Sequence, residues 1–252
     1  MKNRIDIEFK SRGFLLKGRL HLPETKNPPL VIGSHGLEGS KNSAKQMVLS
    51  KLLPAHNIAF FRFDHCGCGQ SQGNFITDTS LEKRTTDFIA ALDHILKLNK
   101  TSNSVAVFGS SMGGATCINA WQRLQEMDIH LCGAVLCSAP VKSRSIKNIP
   151  LEGNHNRPSL PLSFFEKNLL FDITDKAADL FNVMIFHGDA DMIVPVSNAK
   201  EIYARAHAPK HLVIHKNGDH QMTSKADRRD FEDKTVSWFL RWFSGLNQTT
   251  PQ

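Results

Sequence analysis

Three side chains in this 252-residue chain have the types, order and settings that acyl transfer requires: Ser111, Asp191 and His220. A serine hydroxyl is a weak nucleophile until a base accepts its proton, and an imidazole serves best when a carboxylate fixes its tautomer and stabilises the imidazolium. Ser111 lies in Gly109-Ser110-Ser111-Met112-Gly113, a G-x-S-x-G pattern that places a serine on a sharp strand-to-helix turn. The competing reading is a serine that only caps the following helix, because serine is a favoured N-cap residue. Asp191 stands in His187-Gly188-Asp189-Ala190-Asp191-Met192-Ile193-Val194-Pro195, and His220 closes Lys216-Asn217-Gly218-Asp219-His220. Asp189 rivals Asp191 as the acid, its alternative use being a turn-capping carboxylate. His211 and His215 rival His220, but both fall in a strand-like run where packing is the commoner use. Asp219 adjoins His220, and neighbouring side chains do not meet in triad geometry, so it reads as a turn residue.

The elements that would position these groups are visible in the hydrophobic pattern. An apolar run, Val105 to Phe108, precedes the serine, and Ala115 to Trp121 keeps apolar residues at helical spacing after it. Residues 4–10 alternate polar and apolar, and 14–22 form a second strand-like run after Arg12-Gly13, predicting an N-terminal antiparallel hairpin. Leu30-Val31-Ile32-Gly33 reads as a strand buried on both faces. Strand-like and helix-like segments then alternate over 44–53, 58–63, 80–97, 104–109, 112–125 and 131–138, which implies parallel strands with crossover helices. The rhythm breaks between about 140 and 178, where Pro140, Pro150, Pro158, Pro161, Gly153 and Asn154-His155-Asn156 precede an apolar patch over 160–165 and 169–171. This stretch is too long for a plain loop and too proline-rich for a regular helix, and its apolar content predicts an insertion folded over something. A strand at 182–186, a helix at 196–206, a strand at 211–215 and a closing helix at 227–243 complete the series.

Composition bounds the class. Hydrophobic residues at 40% and charged residues at 22% describe an ordinary globular protein with an ample core, and the alternation of elements with its one break reads as a single α/β domain, 1–252, with an insertion at 141–178. The net charge of +7 has one basic cluster, Lys2, Arg4, Lys10, Arg12, Lys17 and Arg19, interrupted by Asp6 and Glu8. It reads as a solvated edge, and nucleic acid is not expected as a partner. No apolar run approaches the ~18 residues of a membrane span, and an odd count of five cysteines points to a reducing, cytoplasmic setting. Cys66 and Cys68, beside His65, lack a second ligand pair, so no metal is expected. No Walker-type loop is present, and a Ser-His-Asp site needs no cofactor. The expected partner is a small-molecule ester, and a homo-oligomer is compatible with this reading.

Together the motifs resemble the α/β-hydrolase fold serine esterases and lipases. His187-Gly188-x-x-Asp191-x-x-Val194-Pro195 is similar to their acid loop, and Gly218-Asp219-His220 to their histidine turn. Arg62-Phe63-Asp64-His65-Cys66-Gly67-Cys68-Gly69-Gln70-Ser71-Gln72-Gly73 resembles the loop after their fourth strand, with cysteines in place of the usual neighbours. The resemblance implies a mostly parallel eight-stranded sheet with an N-terminal antiparallel hairpin, helices on both faces and a small inserted cap. It implies Ser111 as nucleophile, His220 as base and Asp191 as orienting acid. Gly33-Ser34-His35-Gly36-Leu37-Glu38-Gly39 resembles the family's His-Gly loop, making the N–H groups of Leu37 and Met112 the oxyanion donors and His35 a structural histidine. The insertion is similar to the cap of compact cinnamoyl and feruloyl esterases and monoacylglycerol-lipase-like enzymes. In it Phe164, Phe165, Leu169 and Phe171 either line an acyl or aryl pocket or pack the cap down. Ester hydrolysis is the expected activity. Thioesters, lactones, amides and acyl transfer share the same acyl-enzyme, and a non-catalytic binding protein is the alternative of another class.

Overall fold

Strands that are apolar on both faces must be covered twice, and this sheet is. The computed structural model describes residues 3–148, 151–153 and 159–244. Its eight strands are β1 (Arg4–Ser11), β2 (Phe14–His21), β3 (Leu30–Ser34), β4 (Ala59–Phe63), β5 (Ser104–Ser110), β6 (His130–Cys137), β7 (Val183–Gly188) and β8 (Lys210–His215). They form one sheet in the order β1-β2-β4-β3-β5-β6-β7-β8. β1 pairs antiparallel with β2, and β2 antiparallel with β4; every later pair is parallel. This is the α/β-hydrolase fold, with its N-terminal hairpin. Arg19 pairs with Asp6 at 2.6 Å across that hairpin, and Lys17 pairs with Glu8, so much of its basic charge is locally balanced. Lys2, the first member of the basic cluster, lies outside the described residues.

Successive residues of the central strands feed two different cores. Ile32, Val107, Leu136 and Ile185 face one side with residues of α3 (Leu81–Lys97), α4 (Met112–Gln125) and α6 (Ser197–Arg205). Their strand neighbours Val31, Phe108, Val135 and Phe186 face the other side with α1 (Ala44–Ala55) and α7 (Lys225–Ser244). That alternation is the period of a strand, and here both phases are buried. Because β3 to β8 run in one direction, the residues that follow them all emerge at one edge of the sheet, where open α/β sheets bind ligands.

The stretch between β6 and β7 contains a regular helix, contrary to the expectation from its prolines. This helix, α5 (Leu162–Asn168), starts directly after Pro161, which occupies the N-cap position, where a proline sacrifices no intrahelical hydrogen bond. Pro150, Pro158 and Asn154 to Asn156 lie outside the described residues. A second short helix, α2 (Phe75–Asp78), is capped by the Asn74 side chain, which accepts from the N–H of Ile76 and Thr77. Asn168 donates to the carbonyl of Ile76 at 3.2 Å, tying the two short helices together.

Candidate active site

Ser111 sits between β5 and α4 with φ +55° and ψ −125°, a left-handed region that is strained for a residue with a side chain. The backbone around it is crowded: a Cβ on Gly113 would lie 2.1 Å from the carbonyl oxygen of Ser34, so no larger residue fits where the elbow passes the end of β3. The Ser111 N–H donates to the carbonyl of Cys137 at 2.8 Å, which fixes the turn against β6. Although Ser111 occupies the N-cap position of α4, its hydroxyl makes no capping hydrogen bond. The hydroxyl instead meets His220, with Oγ 3.0 Å from Nε2. The helix-capping reading fails on that geometry.

His220 is oriented from its other nitrogen, Nδ1 lying 2.7 Å from Oδ2 of Asp191. The Asp191 side chain is fully buried, whereas that of His220 remains 15% exposed. Burial alone would raise the Asp191 carboxyl. Hydrogen bonds from His187 and His220, with the Ile193 N–H, overcome it and hold the group well below the usual carboxylate range. Oδ1 accepts from the N–H groups of Ile193 and Val194 at 2.9 and 2.8 Å, so the loop's own backbone cradles the acid.

The distance between acid and base is set by two loops in backbone contact. A Cβ on Gly188 would lie 2.0 Å from the carbonyl oxygen of Gly218, so the turn after β7 presses directly on the turn after β8. The N–H groups of Asp189 and Ala190 donate to the carbonyls of His215 and Gly218, both at 3.1 Å. The carboxylate of Asp189 accepts from the N–H of Asn217 at 2.5 Å and bridges the two loops. Asp219 accepts from the N–H groups of Gln221 and Thr223, both at 3.0 Å, and shapes the histidine's turn. His215 pairs with Asp230 of α7 at 3.0 Å, and His211 lies within β8. Lys45 of α1 supports the same turn by donating to the carbonyl of Gln221 at 3.0 Å.

The loop after β3 lies against the serine, since a Cβ on Gly36 would be 3.4 Å from the Ser111 Cβ. Among the described residues no backbone partner consumes the N–H of Leu37, and that of Met112 opens α4, where a helix has no internal acceptor to offer. The helix N-terminus adds a field that favours negative charge here. The carbonyl of Gly36, which shares a peptide with the Leu37 N–H, accepts from His35 Nδ1 at 2.7 Å and from the Gly39 N–H at 3.2 Å. His35 therefore bonds its own loop, as a structural histidine does.

Buried charge that the sequence reading passed over holds this loop. Arg84, on α3, donates to the carbonyl of His35 and lies 3.5 Å from that of Gly36. Lys41 pairs with Asp64 at the end of β4, and Asp64 also accepts from the Lys41 and Gln70 N–H groups at 2.6 and 2.9 Å. One signal was available: Arg84 falls between Leu81 and Phe88, on the face of an amphipathic helix that also carries Ala91, Leu92 and Ile95. Cys66 and Cys68 are buried nearby, and burial pushes both thiols up to about 11, far from thiolate chemistry at neutral pH.

Of the four residues expected in a pocket or a packed cap, Phe164 and Leu169 are buried in the core. Phe164 stacks on Phe75 at 5.7 Å between ring centroids and meets Phe165 edge-on at 5.3 Å. Phe165 and Phe171 are half-buried against the same core.

Comparison with known proteins places the chain. The family model described as serine aminopeptidase, S33 (Hydrolase_4) matches residues 25–160, more than half of the sequence. The chain belongs to this hydrolase family. The family match spans the loop after β3 and the Ser111 elbow, and ends before Asp191 and His220. The Escherichia coli K12 protein YfhR, itself uncharacterised, is 26% identical over 249 residues, covering 96% of this chain and 81% of its own. The mouse mitochondrial palmitoyl-protein thioesterase ABHD10 is 26% identical over 219 residues, covering 79% of this chain and 71% of its own. Among solved structures, Est1E of Butyrivibrio proteoclasticus with bound ferulic acid superimposes with a TM-score of 0.80 at 21% identity, covering 94% of this chain and 99% of that one. Mouse ABHD10 superimposes with a TM-score of 0.70 at 19% identity, covering 94% and 99%. No described helix is long and apolar enough to cross a membrane.

Proposed function

We propose that this hydrolase cleaves carboxylic esters through an acyl-enzyme, with Ser111 as nucleophile, His220 as general base and then acid, and Asp191 as the orienting acid. The observation that carries the reading is the unbroken line from Ser111 Oγ to His220 Nε2 at 3.0 Å and from His220 Nδ1 to Asp191 Oδ2 at 2.7 Å. In the first half-reaction Ser111 Oγ attacks the carbonyl carbon while His220 Nε2 takes its proton. The developing oxyanion is met by the N–H groups of Leu37 and Met112, and collapse expels the alcohol with the proton from His220. A water then enters, gives its proton to His220, attacks the acyl carbon and releases the acid, restoring Ser111. The segment 141–178 is read as a cap over this site, with Phe164 and Leu169 anchoring it. The substrate is a small to medium acyl or aryl ester.

A thioester substrate is the second reading, favoured by the 26% identity to a palmitoyl-protein thioesterase, and it uses the same residues and steps. The test is labelling with a fluorophosphonate probe and mapping of the modified peptide. Stoichiometric labelling at Ser111 that vanishes in His220→Ala is expected, and folded wild-type protein that stays unlabelled would exclude the nucleophile. Rates on matched p-nitrophenyl esters and acyl thioesters then separate the two substrate classes.

A further inference from the structure

His187 is the penultimate residue of β7, four residues before Asp191, and its side chain is wholly buried. Its Nε2 lies 2.8 Å from the carbonyl oxygen of Val194 and 3.3 Å from Oδ2 of Asp191. Both neighbours are acceptors only, so Nε2 carries a proton and shares it between them; the opposite tautomer would aim a lone pair at two oxygens. The remaining nitrogen, Nδ1, has no hydrogen-bond partner among the described residues, which suits an unprotonated atom in an apolar setting better than a buried donor. The oxygen that His187 reaches is the one that accepts from His220.

We infer that His187 is a positioning residue for the proposed relay: its Nε2–H clamps the acid loop through Val194 and shares Asp191 Oδ2 with His220. The inference rests on Asp191 being the orienting acid. Two consequences follow from one contact. The bond to Val194 closes the loop across seven residues, so the carboxylate meets His220 without a conformational search. The contact to Oδ2 also draws negative charge away from the oxygen that steadies the imidazolium formed when Ser111 gives up its proton.

These two effects predict opposite signs when they are lost, and this makes the inference testable. Asp191 is faced by His187 from β7, by His220 from the turn after β8, and by the N–H groups of Ile193 and Val194 from its own loop. The other charges around the relay are Asp219 in the histidine turn and Lys45 on α1. In His187→Phe the volume is kept and the donor is lost, so Asp191 pulls harder on an imidazolium. The acid limb of kcat/KM is expected to move up by about half to one pH unit, with kcat reduced about tenfold and KM unchanged. His187→Gln, which retains an N–H donor, restores the wild-type limb. Were His187 mere filling, its loss would loosen the Asp191–His220 contact, and the limb would move down or stay. A downward or unmoved limb in His187→Phe, or failure of His187→Gln to restore it, overturns the inference.

The wild-type protein supplies an independent readout that does not depend on His187→Phe folding. With 15N-labelled imidazoles, the His187 Nε2–H resonance should shift across the acid limb of kcat/KM, and a flat response overturns the coupling. Wild-type turnover in Asp191→Asn would instead bring down the underlying assignment together with this inference. Loss of turnover in Asp191→Asn beside an unmoved limb in His187→Phe would bring down the inference alone.

Discussion

Among the described residues two serine–histidine–aspartate lines can be traced, and they are built differently. Ser111, His220 and Asp191 meet at 3.0 and 2.7 Å. Ser34, His65 and Asp87, from the end of β3, the loop after β4 and helix α3, meet at 2.9 and 3.7 Å. The second line has no exposed member, and its carboxylate is already engaged by Ser11, Arg12 and the Cys66 N–H. Ser34 is an ordinary strand residue, whereas Ser111 is held at positive φ with its hydroxyl free of capping. Residue types alone do not distinguish these lines. Partial exposure of the serine and histidine, and a strained serine backbone, do.

The widest separation between them comes from removing each serine hydroxyl. Ser111→Ala is expected to lower kcat/KM on an activated ester by about 10⁶-fold, the loss typical when a triad nucleophile is deleted. Ser34→Ala is expected to keep fluorophosphonate labelling at Ser111 and to lose about 1–3 kcal/mol of stability in urea titration, because it leaves a buried imidazole nitrogen unpaired. Comparable activity losses in the two variants would erase the distinction. The next largest effect separates the two acids of one loop. Asp191→Asn should cost about 10⁴-fold in kcat by stabilising the wrong tautomer of His220. Asp189→Asn, which only bridges two turns, should stay within a few-fold. A reversal of these two, read from initial rates, would move the orienting role by two residues.

The contrast also explains what could be read in the sequence. The carboxyl ends of parallel strands are marked by apolar runs ending in glycine-containing turns, which brings out Ser111 and the loops of Asp191 and His220, while the choice of Asp191 over Asp189 came from the resemblance of its loop to the family's acid loop. The strand and helix series was legible for the same reason: each long element carries a full period of its pattern. Helix Leu162–Asn168 was missed because two turns are too short to outvote the prolines around them. Arg84, Lys41 with Asp64, and the reach of His187 to Asp191 and Val194 were hidden for another reason. The first two are contacts between different elements, fixed only when the sheet assembles. The third needs the backbone path of a single turn. The buried Ser34–His65–Asp87 line was equally invisible, since its members lie 31 and 22 positions apart and no single motif joins them.

Histidine protonation gives the smallest effect and the finest separation. Burial, with Arg84 adding to it, pushes His65 down to about 3, and burial with Arg62 pushes His21 down to about 4. His35 is held well below its ordinary value by burial and Arg84. In the unfolded chain each takes up a proton near its ordinary value of about 6.5. Between pH 6.5 and about 3 the unfolded state therefore binds more protons than the folded one, and stability must fall as the pH is lowered through that window. Each such histidine contributes a slope of up to about 1.4 kcal/mol per pH unit, and all of this stability is present above pH 6.5. Urea titrations at pH 7, 6 and 5 should show the decline, and His65→Gln should flatten it by at most one proton's worth. The proposed relay, whose His220 is partly exposed, is expected to lose activity in acid without unfolding the chain. Activity lost in mild acid should then return at once on neutralisation, while the urea midpoint reports the separate, buried loss. A stability flat from pH 7 to 5 would mean that the loop after β3 rests on charged histidines, and the buried line would need to be redrawn.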